Sequence, residues 1–342
     1  MIDHMTCTVS SFDFEAAVRA PFRMQPGLRR APDVPGPDSP VAAPQLTLLR
    51  PGSPQQREKL AVLSAFWPQA LLAQSGFDAA PALRAVCELA AHTHPLAWHW
   101  DGRRAHAKLL GTACCADGKV EQVAAGQFGL GDEVARCLAV LPAPWRLTGL
   151  LSLSFCEDLA IIDGPHGTLP WLAVTLPSHW APEEKLGLPF HAVHAPVADN
   201  QQLLQASAAL LRLVYAAPAA QSESQRSLGF LERFVWNITA HPRLHAHPQR
   251  VDPERWRYTP VAQSWFRSER QSFIQVPGLQ QSVFTIEVGL QPLVEVLNTP
   301  ARARLLAQTV ASMSEAVLRY RGLHPVRQLL LDWLHMRAAN SF

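Results

Sequence analysis

The sequence lacks the short motifs by which many proteins bind a nucleotide or a cysteine-ligated metal. No GxGxxG opens a helix after a strand and no GxxxxGK[ST] occurs, so we expect no nucleotide cofactor in this chain. The six cysteines form no CxxC pair, which argues against zinc ribbons and cysteine-ligated iron–sulfur clusters. If the protein oxidises a substrate, its electrons must therefore come from another protein.

The sequence also has little net charge and no long apolar run. Its 30 basic and 28 acidic residues give a net charge of +2, and the arginines are scattered, so we expect neither nucleic acid nor a membrane as a partner. No run approaches the roughly 20 apolar residues of a membrane span. The first residues contain acids where a signal peptide has an apolar core. We therefore expect a cytoplasmic protein whose partner is a small molecule or another protein.

The composition is typical of a globular protein, with 48% hydrophobic and 17% charged residues in a chain of 342. Residues 31–54 are rich in proline and show no hydrophobic periodicity, which is typical of irregular structure. We predict a largely irregular N-terminal arm over residues 1–52, followed by a single α+β domain over residues 53–342.

Helices are predicted at both ends of this domain. The first helical region spans residues 53–95 and begins with Ser53 as the N-cap before a proline. The second spans residues 300–338, where Asn298 or Thr299 can provide the N-cap and Gly322 ends the first of its helices.

Strands are predicted mainly between residues 150 and 290. A hairpin is expected around the Asp163-Gly164 turn, and two further strands, at 264–277 and 282–290, flank a Pro-Gly turn. Because helices are followed by strands and then again by helices, the order indicates an α+β fold.

The stretch KLGLPFHAVHAPVADN, residues 185–200, contains His191 and His194 between Pro189 and Pro196. Prolines disfavour a helix here, and in an extended chain an odd separation directs the two imidazoles to opposite faces. A metal site that uses both histidines is therefore disfavoured. Two alternatives stay open: a site that needs one histidine, such as haem, and a histidine that is merely packed or exposed.

Several stretches, taken in order, resemble a known family. They are CEDLAII, LPSHW, PEEKLGLPFHAVHAPV, RFVWNIT, FRSERQSFIQVPGLQQSVFTIEV and RYRG, all between residues 150 and 335, with RAPFRM at residues 19–24 as an N-terminal echo. This series resembles the α-subunit family of haem-dependent oxidative N-demethylases.

The resemblance implies a PAS-like antiparallel sheet that holds a haem b. Dioxygen activated at the iron would oxidise an N-methyl group of a small amine, and the carbon would leave as formaldehyde. The electrons would come from NADPH through a separate reductase subunit that carries flavin and iron–sulfur groups.

The resemblance also suggests site residues. The histidine–alanine–proline–valine motif of the family falls on residues 194–197, which makes His194 the expected axial ligand of the iron. Glu157 and Asp158 are adjacent in a predicted strand, so they should face opposite ways, and we expect one of them to enter the pocket as a catalytic group.

Three further residues have two interpretations each. Arg267 and Arg270 would bind the haem propionates or pair with nearby carboxylates such as Glu269, and Trp236 would line the haem or fill the core. The sequence departs from the family pattern at Glu287, where an arginine is expected. A carboxylate there would favour a cationic amine or would lie on the outer face of the strand.

Two other functions stay open at this level. A PAS-like domain can be a non-catalytic sensor of haem or another ligand, and the chain can be a haem-less structural subunit of such a complex.

Overall fold

The computed structural model describes residues 12–31, 44–215 and 230–339. Within these ranges the protein is α+β with antiparallel sheets. Its strands are β1 (Arg29–Arg30), β2 (Leu71–Ala73), β3 (Trp98–Trp100), β4 (Arg104–Ala107), β5 (Thr112–Cys115), β6 (Val120–Gln122), β7 (Glu157–Asp163), β8 (Thr168–Ala173), β9 (Leu231–Thr239), β10 (Trp265–Gln275) and β11 (Gln281–Pro292).

The helices lie before, between and after these strands. They are α1 (Phe14–Ala17), α2 (Pro54–Ala65), α3 (Trp67–Ala70), α4 (Ala80–Thr93), α5 (Glu133–Val140), α6 (Arg146–Ser154), α7 (Phe190–His194), α8 (Gln201–Gln205), α9 (Ser207–Tyr215), α10 (Leu293–Val296), α11 (Pro300–Ala311), α12 (Glu315–Tyr320) and α13 (Arg327–Ala339). No helix in these ranges is long and apolar enough to cross a membrane.

The larger sheet has seven strands in the order β1-β9-β10-β11-β7-β8-β2. The predicted hairpin around Asp163-Gly164 is confirmed as β7 and β8, and the pair around the Pro-Gly turn is confirmed as β10 and β11. Gly164 and Gly278 adopt positive φ angles of 69° and 75° in these turns, which glycine tolerates without steric cost.

The two faces of this sheet have different coverings. One face packs on two hydrophobic cores: Leu159 and Ile161 of β7 contact the core that contains α2, α4 and α6, while Ile238 and Phe266 contact α11 and α13. The opposite face is covered by the segment between β8 and β9, which contains α7, α8 and α9. Along each strand, alternate residues therefore face a core or this helical segment.

Some predicted elements were wrong. Residues 146–154 form helix α6 and not the beginning of a strand, and every residue of Leu147–Ser154 is buried. An apolar run that is buried on all sides has no periodicity to distinguish helix from strand. The four-stranded sheet β3-β4-β5-β6 and strand β2 also lie outside the predicted strand region.

The helix caps were predicted more accurately than the helix ends. The side chain of Ser53 accepts a hydrogen bond from the backbone of Gln56, and Thr299 caps α11, as expected. The helix predicted to continue to Gly322 instead ends at Ala311, and Ser314 caps a new helix, α12.

The predicted N-terminal arm lies partly outside the described residues, at 1–11 and 32–43. Its described parts include α1 and β1, and Phe14, Val18 and Leu46 are buried in the cores. These parts pack against the domain, while the predicted boundary at residue 52 stays a prediction.

Candidate functional site

A cavity of about 1070 Å³ lies between the large sheet and the segment that connects β8 to β9. Its floor includes Arg267, Glu269 and Gln271 from alternate positions of β10, and its roof includes Phe190 and His194 from α7. Sites for small molecules typically occupy about 300–1,000 Å³. The cavity is therefore large enough for a cofactor together with a small substrate.

The segment around His194 is helical, and the prediction that it is extended was wrong. Helix α7 begins directly after Pro189 and ends at His194, so it fits between the two prolines. The N–H of Val193 donates to the carbonyl of Pro189 at 3.0 Å. Because a proline lacks only its own N–H, neither Pro189 nor Pro196 removes a hydrogen bond that this short helix needs.

The two histidines of this segment have different environments, as predicted. The prediction assumed an extended chain, whereas the two residues lie in a helix. His191 is exposed and lies outside the cavity lining, whereas His194 is half-buried and lines the cavity. Burial lowers the pKa of His194 to about 4, and the nearby cations Arg233 and Lys185 lower it further while the carbonyl of Phe190 opposes this shift. His194 is therefore a neutral imidazole at neutral pH.

One ring nitrogen of His194 is held by the backbone. Nδ1 lies 2.8 Å from the carbonyl oxygen of Phe190, and the two rings are 4.1 Å apart between centroids. Because a carbonyl only accepts, the proton of the neutral ring is on Nδ1 and the lone pair is on Nε2. A histidine whose Nδ1–H donates to a backbone carbonyl is typical of a metal ligand.

Several arginines of the cavity wall have no partner for part of their guanidinium group. The Nε atoms of Arg233, Arg255 and Arg321 are buried and lack a hydrogen-bond partner among the described residues. Burial lowers the pKa of all of them, to about 10 for Arg321, so they stay cationic at neutral pH. Buried guanidinium N–H groups without a hydrogen-bond partner favour an anionic ligand. Glu269 also lies near Arg233 and Arg321, and its charge opposes the fall in their pKa.

The fold does not bring Arg267 and Arg270 together. Arg267 lines the cavity, but its guanidinium donates to Ser178 Oγ at 2.7 Å and to backbone carbonyls of two loops, including Leu244 O at 2.7 Å. Arg270 faces the opposite side of the sheet and pairs with Glu232 at 2.8 Å. Arg267 therefore holds loops against β10, and Arg270 lies outside the cavity lining.

Glu157 and Asp158 are both buried and neither lines the cavity. Asp158 forms an ion pair with Lys59 at 3.2 Å and accepts hydrogen bonds from Thr175 Oγ1 at 2.6 Å and Leu176 N at 2.7 Å. Its contacts fix the loop after β8. The catalytic role predicted for one of the two stays a prediction.

Glu157 lies on the opposite face of β7 from the cavity. It accepts a hydrogen bond from Thr47 N at 2.9 Å. Burial raises its pKa to about 8, and the neighbouring Glu287 adds to this shift. Glu287 is itself buried beside Thr47, with Oγ1 3.3 Å from its carboxylate, and it does not belong to the cavity lining. Glu287 therefore lies neither in the cavity nor on an exposed strand face.

Trp236 fills the core, and its predicted contact with haem stays a prediction. Its side chain is 4% exposed and stacks on Phe266 at 5.8 Å between centroids, while its Nε1–H donates to Ala17 O at 3.2 Å. The residue also borders the cavity, next to Arg321, whose guanidinium carbon lies 4.8 Å from the indole ring.

Sequence reasoning missed most of the charged cavity wall. Glu269 is a half-buried carboxylate on the cavity floor that accepts a hydrogen bond from Gln271 Nε2 at 2.6 Å. The sequence pattern indicates it only as a partner for an arginine. The signal that identifies it is the alternation along β10, which places residue 269 on the same face as Arg267 and Phe273.

A protein-family model matches the part of the chain that contains most of the elements around this cavity. Residues 146–331, more than half of the chain of 342, match the family model described as haem-dependent oxidative N-demethylase, alpha subunit-like. The chain belongs to this family. The match runs from α6 into α13 and includes β7 to β11 and the helical segment of the cavity wall. Residues 16–29, which also line the cavity, precede the match, as do β3, β4, β5 and β6.

The cavity of this N-demethylase-like subunit fits the haem that the family description names. His194 offers one neutral nitrogen with a free lone pair, which is what an axial position requires. Phe190, Phe273 and Phe284 supply apolar wall, and Arg233 and Arg321 match the negative charge of propionates.

Proposed function

We propose that this protein binds haem b through His194 and oxidises an N-methyl group of a small amine, with release of formaldehyde. The observation that carries the proposal is His194 itself: a cavity-lining imidazole whose Nδ1 is held by Phe190 O at 2.8 Å. Membership in the N-demethylase family supports the same assignment.

We further propose that the large sheet is PAS-like. In support, the segment that contains α7, α8 and α9 is inserted between β8 and β9. This segment covers the face of the antiparallel sheet that borders the cavity.

The residues proposed to hold the haem are His194 at the iron and Arg233 and Arg321 at the propionates. Arg233 and His194 both line the cavity, and the charge of Arg233 contributes to the lowered pKa of the imidazole. Bound haem supplies the iron at which dioxygen is activated with electrons from outside the chain. We propose that these electrons come from NADPH through a separate flavin and iron–sulfur subunit, and the family's designation as an alpha subunit supports such a partner.

Glu269 is the residue proposed to bind the amine. A methylated amine is cationic at neutral pH, and the cations along the wall would repel it unless a carboxylate lies nearby. Glu269 is on the cavity floor, and Gln271 holds its carboxylate in place with a hydrogen bond of 2.6 Å. The other carboxylate of the lining, Glu184, is exposed at the edge.

The proposal is tested by turnover with a reducing system. The haem-loaded protein, supplied with NADPH and a flavin and iron–sulfur reductase, should release formaldehyde from dimethylamine in a dioxygen-dependent manner. Haem binding without formaldehyde from any N-methylamine would contradict the enzymatic assignment and favour a sensor. A purified subunit that oxidised NADPH by itself at a steady rate would contradict the need for a partner.

A further inference from the structure

We propose that His179 and Arg255, which line the cavity, form an anion subsite for the carboxylate of the substrate, supported by His241, which contacts His179 from outside the cavity lining. The substrate would then be an N-methylated amino acid and not a simple alkylamine. This inference rests on the proposed function and names the class of amine. The residues of this subsite are separate from His194 in sequence. None of the contacts described below involves His194.

Each of the three residues has a buried nitrogen without a partner. Nε2 of His179, Nε2 of His241 and Nε of Arg255 are inaccessible to solvent and form no hydrogen bond with the described residues. Buried polar groups in folded proteins are nearly always hydrogen-bonded, so a group of unpaired ones calls for an explanation. A bound oxyanion would accept from such donors.

The three side chains are neighbours. The rings of His179 and His241 meet edge to face at 5.4 Å between centroids, and Arg255 and Arg267 both lower the pKa of both histidines, after burial as the largest cause. His241 Nδ1 accepts a hydrogen bond from Arg243 N at 3.3 Å. The proton of this neutral ring is therefore on Nε2, which is left as a donor.

Arg255 forms no ion pair within the described chain, although the nearby carboxylate of Asp252 partly opposes the effect of burial on its pKa. Its Nη1 donates to the backbone carbonyl of Asp252 at 3.3 Å. Arg267, by contrast, is occupied by Ser178 and by loop carbonyls. Arg255 is thus the cation that is available to a carboxylate at this end of the cavity.

The loop that carries His179 is held in a constrained conformation. His179 has a φ of 64°, an angle that residues other than glycine rarely adopt and that is often found at functional sites. Its N–H donates to Ala246 O at 2.9 Å, and the preceding Ser178 accepts from Arg267. These contacts hold the imidazole in place before any ligand binds.

The subsite and the proposed amine-binding carboxylate adjoin the same residue. Arg267 contacts the loop that carries His179, and Glu269 is its next neighbour on the cavity face of β10. An ammonium group at Glu269 and a carboxylate at Arg255 would together match a molecule that carries both charges.

The test compares ligands that share a methylammonium group and differ in a carboxylate. We would measure by calorimetry the binding of dimethylamine, sarcosine and 4-(methylamino)butyrate to the haem-loaded protein. At least one of the two acids should bind about tenfold more tightly than dimethylamine, which corresponds to about 1.4 kcal/mol. Arg255→Gln and His179→Ala should each remove this preference, and the exposed neighbour variant Arg257→Gln should keep it.

Two results would overturn the proposal. One is equal or weaker binding of both acids compared with dimethylamine in the unmodified protein. The other is a preference that survives in Arg255→Gln. A third result is also informative: the unmodified protein shows no preference for an acid, and Arg255→Gln loses haem. The cluster would then bind a haem propionate, and the substrate assignment would be wrong.

Acetate binding to the haem-free chain separates this inference from the proposed function. The subsite predicts that acetate binds the haem-free protein and that Arg255→Gln weakens this binding at least fivefold, whether or not the chain oxidises amines. Equal acetate binding by the unmodified protein and by Arg255→Gln would contradict the subsite even if formaldehyde release is observed.

Discussion

Nδ1 of His194 lies 2.8 Å from the carbonyl oxygen of Phe190, four residues earlier and at the other end of the same short helix. The contact fixes the tautomer and the orientation of the ring, and it leaves Nε2 for a metal. Because Phe190 also stacks on the imidazole, the helix itself holds the proposed ligand in place. The proposed binding of haem depends on this arrangement.

The first prediction concerns the proposed propionate site. Arg233→Met removes a buried cation whose Nε has no partner within the described chain. Hydrogen bonds to charged groups are worth about 1.5–3 kcal/mol, so haem affinity should fall about tenfold or more. A haem titration followed at the Soret band measures the change, with the exposed Arg212→Met on α9 as control. Equal haem affinity in the two variants would exclude Arg233 from the haem site.

The second prediction concerns amine recognition. Glu269→Gln keeps the size of the side chain but removes the charge, so kcat/KM for an N-methylamine should fall about 10- to 100-fold. Haem content should not change, because Glu269 is not among the proposed haem ligands. Glu184→Gln, at the exposed edge of the cavity, should have little effect. A loss of the same size in both variants would point to a general effect of charge and not to a binding carboxylate.

The third prediction concerns the buried Lys59, which is 0% exposed and forms an ion pair with Asp158 at 3.2 Å. It also donates to the carbonyl oxygens of Phe155 and Glu157. Removing one partner of a buried pair leaves an uncompensated charge, so Lys59→Met should lower the free energy of unfolding by roughly 3–5 kcal/mol. Urea denaturation measures this, with the exposed Lys119→Met as control. A change within about 0.5 kcal/mol of zero would show that the pair is not a stability determinant.

The fourth prediction concerns the pH dependence of stability. Burial, together with Glu287, raises the pKa of Glu157 from 4.5 to about 8 in the folded protein. Between these values the folded state binds more protons than the unfolded state, so this group lowers stability as pH rises from about 4.5 to about 8. Glu157→Gln removes the effect and should gain stability relative to the unmodified protein as pH increases over this window. A difference in unfolding free energy that is constant from pH 5 to pH 8 would contradict the raised pKa.

The sequence predicted those elements whose signals are local. Strands β10 and β11 were predicted because β-branched and aromatic residues flank a Pro-Gly turn, and the caps at Ser53 and Thr299 were predicted because their side chains satisfy the first free N–H groups of a helix. Helix α6 was not predicted, because it is buried along almost its whole length and a uniformly apolar run has no period.

The site was predictable only where a contiguous motif carries it. His194 was found through the motif at residues 194–197, although the extended geometry assumed for it was wrong. Arg233, Glu269 and Arg321 come together through the pairing of β9 with β10 and the approach of the loop after α12, and local sequence patterns do not encode such long-range contacts. The buried pair Lys59 and Asp158 is likewise distant along the chain, because the whole four-stranded sheet lies between the two residues.

The most direct test of the central claim is the haem spectrum of two matched variants. His194→Ala and His191→Ala alter neighbouring histidines of one helix, of which only His194 lines the cavity. We expect His194→Ala to lose haem or to show a shifted Soret band, and His191→Ala to match the unmodified protein in haem content and Soret position. Unchanged haem content and Soret position in His194→Ala would contradict the account, as would loss of haem in His191→Ala alone.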